Sequence, residues 1–209
     1  MSGSITLENR FGVNKMELIS LKYAIFVIVL LVLYYCFPKK YRWYVLLAGS
    51  MAYYVIICKW YVLFIIFTIC TTYGSTIWID KLLKEQNAIV KSHKEDWDRQ
   101  TRKEYKEKGR KKRVAVMLFA LLCNFGILAF LKYIPYAGEL GLLLPLGISF
   151  YTFQSMGYVM DVYREIVEPE KNFLKVALFV SFFPQIIQGP IAIYDKLAGQ
   201  LYEGHSLRL

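Results

Sequence analysis

Two apolar stretches constrain this chain most: Leu144 to Arg164, LPLGISFYTFQSMGYVMDVYR, and Phe182 to Ile191, FFPQIIQGPI. Both are greasy enough to enter a bilayer. Both also carry helix breakers and uncharged polar side chains where a plain anchor would have leucine. Pro145, Gly147, Pro184, Gly189 and Pro190 release backbone groups that must find partners, and irregular backbone at membrane depth survives only when buried in protein or lining a cavity. The pairing of apolarity with breakers predicts an internal site.

On a helix, Tyr151, Gln154, Tyr158 and Asp161 fall at i, i+3, i+7 and i+10, so two phenols, a carboxamide and a carboxylate share one stripe. Such groups cost several kcal/mol facing lipid and turn inward. The stripe is either the wall of a substrate cavity or a hydrogen-bonding seam between neighbouring helices.

The class of protein follows from how apolarity and charge are distributed. The 209 residues are 56% hydrophobic and 17% aromatic, too apolar for an ordinary soluble domain. The net charge of +10 is gathered in short segments beside apolar runs, a pattern set by membrane topology. No nucleic-acid partner is expected, because the basic segment lacks any reading motif. Cys36, Cys58, Cys70 and Cys123 lie inside apolar runs without a C-x-x-C or a histidine cluster, so no metal site is expected and the thiols read as small buried residues.

Along the chain, residues 1–20 are mixed, with an amphipathic hint at Met16, Leu18, Ile19 and Leu21, and read as an extracytoplasmic or interfacial segment. Residues 21–79 supply three spans, at Tyr23 to Phe37, Trp43 to Cys58 and Trp60 to Ile79. Trp43, Tyr44, Trp60, Tyr61 and Trp78 stand near their ends, where rings settle in the headgroup layer or pack in a core. Residues 80–113 carry 13 Lys and Arg against 7 Asp and Glu and read as a basic, partly helical cytoplasmic loop. Glu95 with Arg99, Asp98 with Arg102 and Glu104 with Lys108 have i,i+4 spacing there. Anionic lipid headgroups are its expected contact. Residues 114–193 return to the membrane, with a break expected at Pro184, and 194–209 form a polar tail. The uncharged first run followed by FPKKYR reads as an uncleaved span. The basic segments put residues 80–113 inside and the amino terminus outside. The fold class is all-α, a polytopic transmembrane helical protein with broken or re-entrant helices.

PLGISFYTFQSMGYVMDVYR, followed by EKNFLKVALFVSFFPQIIQGPIAIYDKLAGQL, resembles the membrane-bound O-acyltransferase family, in particular its bacterial branch of alginate O-acetyltransferase-like proteins. The resemblance covers about Pro145 to Leu201. It implies a partial family fold, in which a ring of helices surrounds a funnel. Ser149, Tyr151, Thr152 and Gln154 from the first motif, and Pro184, Gln185, Gly189 and Pro190 from the second, are then funnel-lining positions. Tyr158, Asp161 and Gln188 join them.

The implied activity is transfer of an acyl group, usually acetyl, to a hydroxyl of an exported polysaccharide or cell-wall polymer at the bacterial cytoplasmic membrane. Acetyl-CoA or another acyl thioester would be co-substrate, with no bound cofactor, and an extracytoplasmic protein would be partner. The family's active-site histidine lies in a half that would follow Leu209, whereas this sequence has His93 and His205. The chain is therefore expected to be an amino-terminal portion without activity of its own. Two other classes stay open. Broken helices also build transporter binding sites, and retained helices can serve as a non-catalytic scaffold.

Overall fold

The computed structural model describes residues 23–93, 97–133, 147–188 and 194–202. The amphipathic hint in residues 1–20, and Pro145, Gly189, Pro190 and His205, lie outside the described residues, as does the side chain of Gln188. The described residues form helices joined by turns and short irregular connections, without a strand, as the apolar spacing leads one to expect.

Helices α1 (Tyr23–Cys36) and α2 (Arg42–Cys58) come first. They approach closely at Gly49, where a Cβ would stand 2.4 Å from Leu30 Cδ1. Helices α3 (Val62–Ser92) and α4 (Arg99–Tyr133) follow, and both are long and apolar enough to cross a membrane. After them come α5 (Ile148–Tyr163), α6 (Phe173–Ser181), α7 (Phe183–Gln188) and α8 (Tyr194–Tyr202). Helix α3 is the central post, packed against α4, α5 and α6, while α2 closes on the far side of α6.

Length separates α3 and α4 from their neighbours. At 31 and 35 residues they run about 46 and 52 Å, against about 30 Å of hydrocarbon. The surplus is the charged sequence. Residues 80–113 are therefore less a loop than a helical hairpin, in which α3 continues past Ile79 to Ser92 and α4 begins at Arg99. Ion pairs at i,i+4 spacing hold these turns: Asp80 with Lys84, Lys81 with Glu85 and Glu107 with Lys111. These pairs add to the ones the spacing first suggests, of which Glu95 with Arg99 lies partly outside the described residues.

Apolar surface remains on the outside. Ile56, Leu63, Phe119 and Leu122 are exposed, a face suited to lipid. Trp60 is exposed just before α3 and Trp78 midway along it, whereas Trp43 is buried against Leu178 and Leu201. The cysteines also divide, since Cys58 is buried, Cys123 half-buried, and Cys36 and Cys70 exposed; none of the four forms a disulfide among the described residues. A residue inside an apolar run can face lipid instead of protein, which is why burial did not follow from the run alone.

The expected break is present. Helix α6 stops at Ser181, Phe182 is extended (ψ 101°), and α7 restarts at Phe183. Pro184 sits in the first turn of α7, where its missing N–H costs nothing. At the other motif, Gly147 precedes α5 with φ 71°, a left-handed conformation that glycine adopts without a Cβ clash.

Candidate functional site

Helix α5 carries the polar stripe and turns it inward. Tyr151, Thr152, Gln154 and Tyr158 are each at most 2% exposed. Ser149 is half-buried, and Asp161, one helical turn nearer the charged end, is also half-buried. The 3.6-residue period thus buries Tyr151, Thr152, Gln154 and Tyr158, while Ser149 and Asp161 lie at the edges of the apolar face on which Phe150 and Phe153 are exposed.

Each buried member has a distinct environment. Gln154 Nε2 donates to the carbonyl of Phe179 at 2.8 Å. Phe179 lies in the last turn of α6, whose final carbonyls lose their i+4 donors where the helix ends. The carboxamide therefore satisfies backbone released at the Phe182 break, and the two motifs meet at this bond. Tyr158 accepts from the Glu170 N–H at 2.8 Å, and its ring stacks on Tyr194 at 4.1 Å. Tyr151 packs edge-on to Tyr54 at 6.2 Å. Its hydroxyl is buried without a hydrogen-bond partner among the described residues, as is the Ser155 hydroxyl.

The second motif contributes less directly. Gln185 is buried and Pro184 half-buried. Together, α5, the turn leading into α6 and α8 assemble a tyrosine cluster, with Tyr202 donating to the Lys175 carbonyl at 2.8 Å and Lys175 paired with Glu170 at 3.6 Å. Burial pushes the Tyr194 and Tyr202 phenols above their ordinary range, so both stay protonated near neutrality. A cleft of about 520 Å³ opens beside these two tyrosines, between Glu168 and Gly199.

Several contributors escaped the sequence reading. Thr68, Thr72, Ser75 and Thr76 on α3 are buried, and Asn124 on α4 donates to Thr71 at 2.9 Å. The signal was available: a run of hydroxyls at 68, 71, 72, 75 and 76 inside a membrane-length apolar helix repeats at helical spacing. Tyr54, Tyr194 and Tyr202 gave no such sign, because an isolated tyrosine does not announce its partners. His93 is exposed at the end of α3 and stacks on Trp97 at 4.9 Å, in the charged hairpin and away from the stripe. Among the described residues, no group of three His, Cys, Asp or Glu could hold a metal ion.

The geometry defines an all-helical protein with membrane-length helices and an inward polar stripe at a broken helix. Similarity to curated proteins gives that class a chemistry. The chain is 47% identical over 58 residues to a "Probable alginate O-acetylase AlgI" of Pseudomonas syringae pv. tomato, a match covering 28% of this chain and 11% of the relative. It is 36% identical over 91 residues, 43% of the chain and 17% of the relative, to the protein of that name in Azotobacter vinelandii. It is also 32% identical over 120 residues to the "Peptidoglycan O-acetyltransferase" of Helicobacter pylori, 40% of the chain and 23% of the relative.

The matches thus span between about a tenth and a quarter of those relatives' lengths. No family model matches the chain, and no solved structure matches it significantly. Over part of its length the chain is similar to bacterial O-acetyltransferases of the alginate and peptidoglycan kinds, the branch that its two motifs resemble. An acyl donor is the co-substrate that such an activity implies.

Proposed function

We propose that this chain forms part of a multi-pass O-acetyltransferase of the bacterial cytoplasmic membrane, acting on hydroxyls of an exported polysaccharide or cell-wall polymer. The observation that carries the reading is the similarity to named alginate and peptidoglycan O-acetyltransferases. The meeting of its two motifs at the Gln154 to Phe179 bond supports it.

In the reaction, the acceptor hydroxyl oxygen attacks the carbonyl carbon of an acetyl thioester. The new C–O bond forms, the C–S bond breaks, and the hydroxyl proton passes through a general base to the departing thiolate. The thioester, acetyl-CoA or an equivalent donor, would approach from the cytoplasmic side and the polymer from outside, with an extracytoplasmic partner protein delivering or receiving the acyl group. Ser149, Tyr151, Thr152, Gln154, Tyr158 and Asp161 on α5, with Pro184, Gln185, Gln188, Gly189 and Pro190, would build the funnel wall. In this role the buried Tyr151 and Ser155 hydroxyls, which have no partner among the described residues, would be the donors available to a substrate oxygen.

His93 does not serve as the base in this reading, because it stands exposed in the charged hairpin. We expect the 209-residue chain alone to be inactive. Purified chain given radiolabelled acetyl-CoA and a soluble glycan yields no labelled glycan above the protein-free control, whereas membranes expressing the complete open reading frame label polymer. Turnover by the chain alone would show that the base has been misplaced.

A scaffold reading has one specific observation in its favour. Gln154 and Tyr158 already spend polar atoms on backbone groups of this chain, as purely structural residues would. Full acetylation by a variant lacking both side chains would favour that reading.

A further inference from the structure

The charged hairpin contains a cleft that acyl transfer leaves unused. It measures about 430 Å³ and is walled by Lys103, Lys106, Arg110 and Arg113 of α4 and by the amides Gln86 and Asn87 of α3. Glu165 reaches it from the turn after α5, and Glu107 stands at its edge.

The cations here are poorly matched by the chain itself. Lys103, Lys106 and Arg110 lie at i, i+3 and i+7 along one flank of α4, and none of them pairs with a carboxylate among the described residues. Glu107 pairs instead with Lys111, at 3.6 Å. Arg113 is 8% exposed; its Nη1 donates to Glu165 Oε1 at 3.0 Å, while its Nε has no acceptor among the described residues. Gln86 is fixed by donation to the Lys106 carbonyl at 2.9 Å, made possible by Gly109, whose absent Cβ would stand 2.6 Å from the carboxamide. Four cations on one concave wall repel one another, and an anion of two or more charges relieves that repulsion.

Glu165 is the second unusual feature. Its φ of 62° makes it the positive-φ non-glycine among the described residues. The Glu165 and Ile166 N–H groups bond back to the Val162 and Asp161 carbonyls, so it occupies the left-handed closing position of α5. Glycine is the usual residue there, and a glutamate held against its steric preference places a carboxylate on Arg113.

We propose that this cleft binds a phosphate-bearing anion, held by Lys103, Lys106 and Arg110 beside Arg113, with Glu165 as the built-in competitor for the Arg113 guanidinium. The apolar part of α4 begins at Val114, so the cleft extends from the membrane boundary to about 15 Å beyond it. At that height the phosphate can belong to an anionic phospholipid headgroup or to a soluble phosphate compound. The site stands apart from the acyl-transfer reading and does not depend on it.

The test uses the full chain in phosphatidylcholine nanodiscs titrated with inorganic pyrophosphate by calorimetry. In parallel, native mass spectrometry of the chain from discs containing phosphatidylglycerol counts retained lipid. At least one probe binds, and the combined variant K103A/K106A/R110A weakens that binding about tenfold or more. Glu165→Gln tightens it severalfold. A variant with three other cations removed, K81A/K108A/K112A, stays within about twofold of wild type and controls for folding and for diffuse charge. Pyrophosphate binding alone assigns the soluble source, and lipid retention alone assigns the headgroup. Binding of neither probe, equal loss in the two triple variants, or weaker binding in Glu165→Gln overturns the proposal.

Discussion

Gln154 Nε2 stands 2.8 Å from the carbonyl oxygen of Phe179, 25 residues farther along the chain. The bond ties the polar stripe of α5 to the carbonyl end of α6, where the helix breaks. Both groups are buried. Removing the side chain therefore strands an acceptor, at a cost of about 1–3 kcal/mol.

Gln154→Leu is accordingly expected to lower the thermal midpoint of the detergent-purified protein by several degrees, while Ser149→Ala, at a half-buried position, lowers it less. In the complete enzyme, Gln154→Leu is expected to reduce acetylation more than expression. Equal reductions would assign Gln154 a structural role only.

Glu165 offers a comparison in which the same carboxylate is lost twice. Glu165→Gly and Glu165→Ala both break the pair with Arg113, yet only glycine accepts φ 62° without strain. The alanine variant should be less stable than the glycine variant by about 1 kcal/mol, measured by thermal or denaturant unfolding in detergent. Equal stabilities would mean that the turn after α5 relaxes.

The inward stripe, the break near Pro184 and the all-helical class were legible because each rests on a local rule: helical periodicity, a missing N–H, or apolar run length. The hairpin was less so. Charged sequence is solvated whether it coils or continues a helix, and the choice between them was made by i,i+4 pairs whose partners depend on register. Trp43 and the cysteines were ambiguous for another reason, since apolar side chains in a membrane-length run can face lipid or protein equally well. Which one they face depends on packing between helices distant in sequence, as for Trp43 against Leu178 and Leu201. The tyrosine cluster has the same origin, with Tyr158, Tyr194 and Tyr202 brought together by the turn between α5 and α6 and the docking of α8.

The glycines of α4 separate close approach from simple propensity. A methyl group at Gly109 meets the buried Gln86 carboxamide at 2.6 Å, whereas one at Gly126 meets nothing within 4 Å. Gly126→Ala should leave stability unchanged or raise it by up to about 1 kcal/mol. Gly109→Ala should lower it by about 1 kcal/mol, because displacing Gln86 from the Lys106 carbonyl outweighs the propensity gain. Unfolding of the two variants side by side checks the sign of each.

Orientation is open to a direct chemical test. Ser92, exposed at the end of α3, is replaced by cysteine in a background in which the native cysteines are serine. An impermeant maleimide applied to intact cells should leave it unlabelled, and permeabilised cells should label it fully, because basic segments beside membrane spans favour the cytoplasmic side. Labelling in intact cells would reverse the topology.

The O-acetyl content of the surface polymer tests the central claim most directly. The complete open reading frame is expressed in a strain whose own polymer O-acetylase has been deleted, and ester-linked acetate is released by mild base and quantified per sugar. The account predicts that acetate rises well above the vector control and that Gln154→Leu, expressed at a matched level, lowers it. Acetate indistinguishable from the vector control, with the protein present in the membrane, would contradict the assignment to O-acetyl transfer.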